Sequence, residues 1–307
     1  MKRRALLSSS AAAAAAVLCS GVRASVADRF SEKTKPVDTM NRVDGWTPGS
    51  VRPIELKGRR IGEGRPKLIA PTTAKNEKDL LAAVRTLAGL PKLDMIEVRL
   101  DYLGRLEPEK YAAVSRAAYE AAGGKIVLVT LRNGTDGGGF VIDDRLYEEA
   151  NAAIVSEGRA DIIDFELFRS RPVIERLTAK AHGRGVKVII SDHEFKFMPD
   201  EAEIIRRLLL EEALGADILK IALMAHCPED ALAVMSATAK MRHYYTSRPM
   251  LTMAMGKYGV LTRITGEGFG SDLTFASVGG KASAPGQIPL DACAEVLETL
   301  HLGMNPQ

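Results

Sequence analysis

From residue 66 onward, short apolar runs rich in β-branched residues alternate with longer amphipathic segments. Most of the short runs are almost continuously apolar, which is typical of parallel strands that are buried on both faces. The sequence predicts eight such strands, at 67–71, 95–100, 125–131, 161–167, 186–191, 217–222, 251–255 and 272–278. This order indicates a fold in which strands and helices alternate.

Helical periodicity occupies the intervals between these strands. The sequence predicts helices at 75–90, 108–122, 143–157, 172–182, 200–214, 229–243 and 289–300, and a glycine-rich, weakly helical interval at 257–270. Eight strand–helix units in roughly 240 residues fit the usual size of a (β/α)₈ barrel. We therefore expect an α/β fold with a single TIM-barrel domain over 54–303. An open, doubly wound sheet is the alternative.

The N-terminus has the features of a targeting signal. Basic residues at positions 2–4 precede an apolar, alanine-rich run, and Ser25-Val26-Ala27 places small residues where a signal peptidase cleaves. The apolar run is shorter than the about 20 residues that cross a bilayer. We expect a signal peptide at 1–27, a flexible leader arm at 28–53 and export to the periplasm by the Sec or twin-arginine route, with no membrane anchor after processing. A cytoplasmic protein is the alternative.

Composition and charge exclude several classes of partner. The formal net charge is +3, but residues 1–27 hold four basic residues and no acid, which leaves −1 for the rest of the chain. A nearly neutral body gives no reason to expect nucleic acid. The three cysteines, Cys19, Cys227 and Cys293, lack metal-ligand spacing, so we expect no metal site and two unpaired thiols in the mature chain.

Polar residues occur at the ends of the predicted strands, where the functional face of a barrel lies. They include Glu97, Arg99, Arg132, Asp164, Glu166, His193, Lys220, Arg263, Ser283 and Gln287. Each has a plain structural interpretation, such as a salt-bridge ladder or a hydrogen-bonded loop histidine. Lys220 is harder to explain in that way, because an unpaired ammonium inside an apolar strand is costly.

These residue types indicate imine chemistry. A lysine amine attacks a ketone only when it is neutral, and burial between Leu219 and Ile221 disfavours the charged form of Lys220. The resulting iminium acidifies the adjacent carbon. His193 is the natural base near neutral pH, and Asp136 could orient its ring. Since arginine binds carboxylates through a bidentate fork, the sequence predicts a lyase or aldolase that acts on a keto acid.

Five motifs, in order along the chain, resemble the type I 3-dehydroquinate dehydratases. They are Gly62-Glu63-Gly64-Arg65-Pro66-Lys67, Glu97-x-Arg99-x-Asp101, Ser191-x-His193-x-Phe195, Lys220-Ile221-Ala222 and Ser283-Ala284-Pro285-Gly286-Gln287. The resemblance runs from about residue 54 to residue 300. It implies a (β/α)₈ barrel that dehydrates 3-dehydroquinate to 3-dehydroshikimate without a metal or dissociable cofactor. It also implies a homodimer, although the sequence shows no interface.

The resemblance also implies a role for each residue. Lys220 would form the imine, and His193 would remove the neighbouring proton and then protonate the departing hydroxyl. The substrate carboxylate would be held by Arg263, Ser283 and Gln287. The ring hydroxyls would be bound by Glu97, Arg99 and Arg132, and Thr72 would take a place that serine occupies in relatives.

The chain departs from the family in three places. Asp136 stands where the family has glutamate, so its contact with His193 should be longer or bridged by water. Thr262 replaces the serine that precedes the family's arginine. The signal peptide is the largest departure, since aromatic biosynthesis is cytoplasmic chemistry. It favours a role outside the cytoplasm, in quinate or shikimate breakdown.

The sequence leaves two other functions open. A Schiff-base aldolase on the same barrel would carry a similar lysine on strand six, but it would not need the Ser283–Gln287 loop. An exported binding protein that had lost turnover would need neither Lys220 nor His193.

Overall fold

The computed structural model describes residues 49–280 and 283–306. The strands are β1 Ile54–Leu56, β2 Arg59–Ile61, β3 Lys67–Pro71, β4 Met95–Arg99, β5 Ile126–Thr130, β6 Ile162–Glu166, β7 Lys187–Glu194, β8 Ile218–Met224, β9 Met250–Met255, β10 Leu273–Ser277 and β11 Ile288–Pro289. The helices are α1 Glu77–Ala88, α2 Pro108–Ala121, α3 Asp144–Glu157, α4 Arg171–Gly183, α5 Glu201–Ala213, α6 Pro228–Lys240, α7 Gly266–Phe269 and α8 Leu290–Met304.

Local sequence explains where several of these helices begin. The side chains of Asn76, Asp143 and Asp200 each accept a hydrogen bond from a backbone N–H in the first turn of the following helix. Other helices open with proline, which has no N–H to leave unpaired at that position. Comparison of the observed elements with the predicted ones confirms every predicted strand and helix, with ends that shift by a few residues.

The sheet closes into a barrel. Strands β3 to β9 pair in parallel in chain order, and β10 pairs in parallel with β3. The remaining seam, between β9 and β10, is joined at Asp272, whose N–H donates to the Met250 carbonyl at 2.7 Å and whose carboxylate accepts the Met250 N–H at 2.7 Å. The (β/α)₈ barrel is confirmed, and the open doubly wound sheet is excluded because β10 lies beside β3.

A hairpin of β1 and β2 covers the end of the barrel where the strands begin. Ile54 and Ile61 pack in one buried cluster with inward residues of the barrel such as Met95 and Ile126. Lys57 donates a hydrogen bond to the Lys125 carbonyl at 2.8 Å, just before β5. This end is therefore apolar and closed, which leaves the opposite end for a site.

Some predictions fall wholly or largely outside the described residues. The signal peptide at 1–27 and most of the leader arm at 28–53 lie there, as does Cys19. In the described part of the chain, Cys227 and Cys293 are free thiols. No helix in that same part is long and apolar enough to cross a membrane.

Candidate active site

A cavity opens at the end of the barrel where the parallel strands terminate. Alternate residues of each strand point into the barrel, so polar residues two positions apart reach the same space. Nine of the ten predicted site residues line this cavity: Glu97, Arg99, Arg132, Asp136, His193, Lys220, Arg263, Ser283 and Gln287.

Lys220 reaches the cavity from the middle of β8 and is almost fully buried, with 2% of its surface exposed. Its Nζ donates to Oδ2 of Asp164 at 2.8 Å and lies 3.9 Å from Oε1 of Glu97. The ring of Phe275 lies on another side, with its centroid 5.2 Å from Nζ. The lysine is thus buried but paired, and its amine borders the cavity.

Beneath the cavity, Asp164 accepts hydrogen bonds from three buried side chains. Its Oδ1 accepts hydrogen bonds from Arg132 and from the Ser191 hydroxyl, both at 2.6 Å, while its Oδ2 faces Lys220. Burial by itself raises the pKa of Asp164, but the charges of Arg132 and Lys220 outweigh burial and hold that pKa below its ordinary value. Asp164 therefore stays ionised beside the lysine.

The guanidinium of Arg132 donates hydrogen bonds to several of the buried side chains around Asp164. Besides Asp164, its guanidinium donates to Ser191 at 2.9 Å and to Glu166 at 3.5 Å. Glu166 in turn accepts the backbone N–H of Asn133 at 2.7 Å, just after Arg132. Arg132 lines the cavity, but most of its visible contacts orient the carboxylates behind Lys220.

His193 lies on β7, two residues beyond the partner of Lys220 in the strand register. Burial of the ring, followed by the positive charges of Arg132, Lys220 and Arg99, holds the pKa of His193 well below its ordinary value. Its Nδ1 is buried and has no hydrogen-bond partner among the described residues. The imidazole is therefore neutral at pH 7 and free to accept a proton.

Asp136 lines the same cavity as His193 but forms no hydrogen bond with it in the described structure. Its Oδ1 accepts a hydrogen bond from the Thr135 hydroxyl at 3.0 Å. The expected longer or water-bridged contact with His193 stays a prediction. The orienting role of Asp136 remains a prediction.

Glu97 and Arg99 reach the cavity from β4, with their polar groups already held. Glu97 accepts a hydrogen bond from the Thr130 hydroxyl at 2.9 Å. Arg99 forms a two-point ion pair with Asp101, at 2.8 and 2.9 Å. Thr72 does not line the cavity, because its hydroxyl bonds to the backbone of β4, accepting the Arg99 N–H at 3.1 Å.

Arg263 differs from the other two arginines because no carboxylate pairs with it among the described residues. It is 1% exposed, and within the described part of the chain its guanidinium donates only to the Pro285 carbonyl at 3.0 Å and to Sδ of Met253 at 3.3 Å. Its buried Nε has no partner in that part of the chain. Burial lowers the pKa of Arg263 to about 10. An anion in the cavity would relieve this unfavourable burial.

Ser283 and Gln287 line the cavity from the loop between β10 and β11. The same loop carries Pro285, whose carbonyl accepts a hydrogen bond from Arg263. The Ser283 N–H donates to Oε1 of Gln287 at 2.9 Å, and Nε2 of Gln287 donates to the Ser283 hydroxyl at 2.9 Å. The two side chains thus hold each other beside the free guanidinium.

Sequence reasoning noted Asp164 only as a polar residue of the fourth barrel strand and did not predict its contact with Lys220. Phe275 was not singled out at all. The alternation of side chains along a strand could have identified them. Asp164 and Glu166 share a face of β6, and Phe275 shares the inward face of β10 with Leu273. An acid placed inward beside an inward lysine would have been the expected partner.

Together the cavity holds an amine on a strand, an uncharged imidazole and an unpaired guanidinium. These groups can form an imine, move a proton and bind a carboxylate. No group of three or more His, Cys, Asp or Glu residues that could hold a metal occurs within 49–280 and 283–306.

Comparisons with known proteins agree with this arrangement. The sequence pattern of a family described as "Type I 3-dehydroquinase" matches residues 68–304. A 3-dehydroquinate dehydratase of Clostridioides difficile is 39% identical over 257 residues, which cover 83% of this chain and 99% of that protein. A catabolic 3-dehydroquinate dehydratase of Acinetobacter baylyi is 33% identical over 265 residues, with 86% and 97% covered.

Solved structures show the same likeness. The crystal structure of a type I 3-dehydroquinate dehydratase from Clostridium difficile, with covalently modified comenic acid, superposes with a TM-score of 0.77 at 37% identity and covers 82% of this chain and 99% of that one. The 3-dehydroquinate dehydratase of Enterococcus faecalis gives a TM-score of 0.75 at 33% identity, covering 80% and 99%. On the match of the family pattern and of these relatives, this chain belongs to the type I 3-dehydroquinase family.

Proposed function

We propose that this protein is a hydro-lyase that converts 3-dehydroquinate to 3-dehydroshikimate and water. The substrate is taken from the names of the relatives. The match with this chain covers nearly the whole length of each of them. The observation that carries the proposal is the placement of Lys220, His193 and Arg263 around one cavity. An imine-forming amine, a proton acceptor and a carboxylate anchor are the groups that this reaction needs.

In the proposed sequence of steps, Lys220 first gives its ammonium proton to water. The neutral amine then attacks the ketone carbon of the substrate, and loss of water leaves an iminium, which Asp164 faces as the counter-ion. The iminium withdraws electrons from the adjacent carbon, so His193 can remove a proton there. The electron pair then expels the neighbouring hydroxyl, which His193 protonates as it leaves. Hydrolysis returns Lys220 and releases the product, so one molecule of water is lost in total.

Substrate binding divides between the two sides of the cavity. Arg263, Ser283 and Gln287 would grip the carboxylate, since they carry the unpaired guanidinium and the adjoining hydrogen-bond donors. Glu97, Arg99 and Arg132 would bind the ring hydroxyls from the opposite strands. Asp164 would stay ionised as the counter-ion of Lys220, and Asp136 would act on His193 through a water. Thr72 would contribute by holding the backbone of β4 rather than by touching substrate.

Borohydride trapping tests the proposal. The purified mature chain is incubated with 3-dehydroquinate, reduced, and mapped by mass spectrometry. We expect a substrate adduct on Lys220, and 3-dehydroshikimate in an unreduced sample. Lys220→Ala is the matched control and should remain folded but form neither. If the wild-type chain gives no adduct and no product, the dehydratase proposal fails, and cleavage of sugar-derived substrates or ligand binding without turnover would be examined next.

We propose further that the enzyme works outside the cytoplasm, in quinate or shikimate breakdown. The N-terminal sequence supports export, and the Acinetobacter baylyi relative is named as catabolic. Cell fractionation with antibodies against the barrel tests this: we expect processed protein in the periplasmic fraction. Full-length protein in the cytosol would overturn it.

A homodimer is the assembly that the family resemblance suggests for the processed enzyme. Light scattering on the purified mature chain tests it, and a mass equal to one chain would contradict it.

A further inference from the structure

A fully buried glutamate lies directly behind Lys220, on the helix side of the barrel wall. Glu211 of α5 is 0% exposed, and its Oε2 accepts the backbone N–H of Lys220 at 2.8 Å. Its other oxygen, Oε1, is buried with no hydrogen-bond partner among the described residues. The proposed chemistry makes no direct use of this carboxyl group, so its presence needs a separate explanation.

Packing does not supply that explanation. The inward face of α5 otherwise carries residues such as Ile204 and Leu208, which fill the space between helix and strands with apolar atoms. Burial raises the pKa of Glu211 well above its ordinary value, despite the hydrogen bond from the Lys220 amide. Burial therefore favours the uncharged form of this acid. The desolvation of Oε1 is offset by no hydrogen bond within the described residues, and this costs stability.

The acid is also not part of the neighbouring ion pairs. On the same helix, Arg207 pairs with Asp192 of β7 at 2.8 Å and with Glu203 at 2.9 Å. Glu212, the next residue along, is half-buried and pairs with Arg248 at 3.3 Å. The hydrogen bond to the Lys220 amide is thus the one polar contact that the described residues give Glu211.

We propose that Glu211 is a positioning residue for Lys220. Its carboxyl group fixes the backbone of β8 at Lys220 from the helix side, while Asp164 holds Nζ at 2.8 Å from inside the barrel. The lysine is then held at both ends, so that its amine stays between Asp164 and the Phe275 ring. Sites that break a local stability rule are commonly functional sites. This inference rests on the proposed role of Lys220 as the imine-forming residue.

Two substitutions separate positioning from a purely structural role. Glu211→Gln keeps a neutral acceptor oxygen in the same place. Glu211→Met removes the acceptor while filling a similar volume with apolar atoms. Glu212→Met is the matched control, one residue along the same helix. For each variant, unfolding by urea gives the stability, steady-state kinetics with 3-dehydroquinate give kcat and KM, and borohydride trapping gives the rate of adduct formation on Lys220.

We expect Glu211→Met to lose about tenfold in kcat and in the trapping rate. Its urea midpoint should fall only modestly, because the variant leaves the Lys220 N–H without an acceptor but also removes the unpaired Oε1. KM should change by less than about twofold, because the grip of Arg263 on the carboxylate is untouched. A loss of this size is reasonable since misplacement of a reacting group by 1 Å can slow a reaction by about 10²-fold. Glu211→Gln and Glu212→Met should keep near wild-type kcat.

The inference would be overturned if Glu211→Met kept the wild-type kcat, if Glu211→Gln were as slow as Glu211→Met, or if Glu211→Met unfolded well below the wild type or failed to fold. The last result would make Glu211 a structural residue. Failure of the proposed function is distinguishable, because it would appear in the wild-type chain itself as the absence of an adduct and of product.

Discussion

The three arginines that line the cavity differ in whether a carboxylate already pairs with them, and this difference determines which of them can bind a substrate anion. Arg99 and Arg132 have carboxylates within 3 Å, whereas Arg263 has only a carbonyl and a thioether among the described residues. A buried guanidinium that is already paired gains little from another anion. Arg263 is therefore the position at which a substrate carboxylate contributes most.

This difference predicts opposite effects on binding and stability. Arg263→Met should lower kcat/KM by about 30- to 1000-fold, mainly through KM, because a buried charge contact is worth about 2–4 kcal/mol. The variant should also unfold at a higher urea concentration, because an unpaired buried charge has been removed. Arg171→Met, at an exposed arginine paired with Glu175, is the control. An unchanged KM for Arg263→Met would contradict the carboxylate assignment.

His193 predicts the pH dependence of the reaction. Its pKa lies well below the ordinary histidine value, so the neutral base persists as the pH falls below 6.5. Since proton removal requires the neutral form, kcat/KM should be level near pH 6.5 and should fall only at lower pH. A profile of kcat/KM from pH 4.5 to 9 checks this. An acidic limb centred at pH 6.5 or above would be inconsistent with the buried, positively surrounded ring.

At the scale of elements, the segment after β9 sets the position of Arg263. A 3₁₀ helix at Lys257–Arg263 folds back against the end of β9, where Thr262 accepts the Ala254 N–H at 3.0 Å. Gly259 makes this close approach possible, because a Cβ built there would lie 2.1 Å from the Ala254 carbonyl oxygen. A side chain at position 259 must push this segment outward.

Gly259→Ala should therefore destabilise the protein by about 1–3 kcal/mol and raise KM several-fold, since overpacking shifts the backbone that carries Arg263. Gly183→Ala is the control, because nothing lies within 4 Å of a Cβ built at that position. Urea unfolding and steady-state kinetics on both variants check the prediction. If Gly259→Ala matched Gly183→Ala in both measurements, the close approach of Gly259 to Ala254 would affect neither stability nor KM, and the prediction would be wrong.

On the scale of the whole molecule, the barrel has one closed and one open end. The β1–β2 hairpin closes the end where strands begin with apolar side chains, among them the fully buried Ile61. The polar groups that react or bind are confined to the other end. Stability and activity should therefore be separable by position along the barrel axis.

Ile61→Ala tests this separation. It should lower the free energy of unfolding by about 2–5 kcal/mol, the usual cost of truncating a buried isoleucine, while the folded fraction keeps near wild-type kcat and KM. Leu302→Ala, at a residue with 52% of its surface exposed, should change stability by less than about 0.5 kcal/mol. A large loss of kcat in folded Ile61→Ala would show that the two ends are coupled.

The sequence by itself determined the order and type of the elements and most of the site. Continuous apolar runs and helix starts depend on neighbouring residues, so the eight barrel strands could be predicted. Motifs at strand ends brought nine residues to one cavity because parallel strands in a barrel end on the same face.

Only the tertiary structure decided which charges meet. The pairing of Lys220 with Asp164 joins residues 56 positions apart, and the isolation of Arg263 depends on every element around it. The burial of Glu211 behind Lys220, the absence of a hydrogen bond between Asp136 and His193 among the described residues, and the seam at Asp272 are of the same kind. Each depends on strand register and on how the barrel closes, and these are set by contacts between segments far apart in the chain, which a local pattern of residues does not contain.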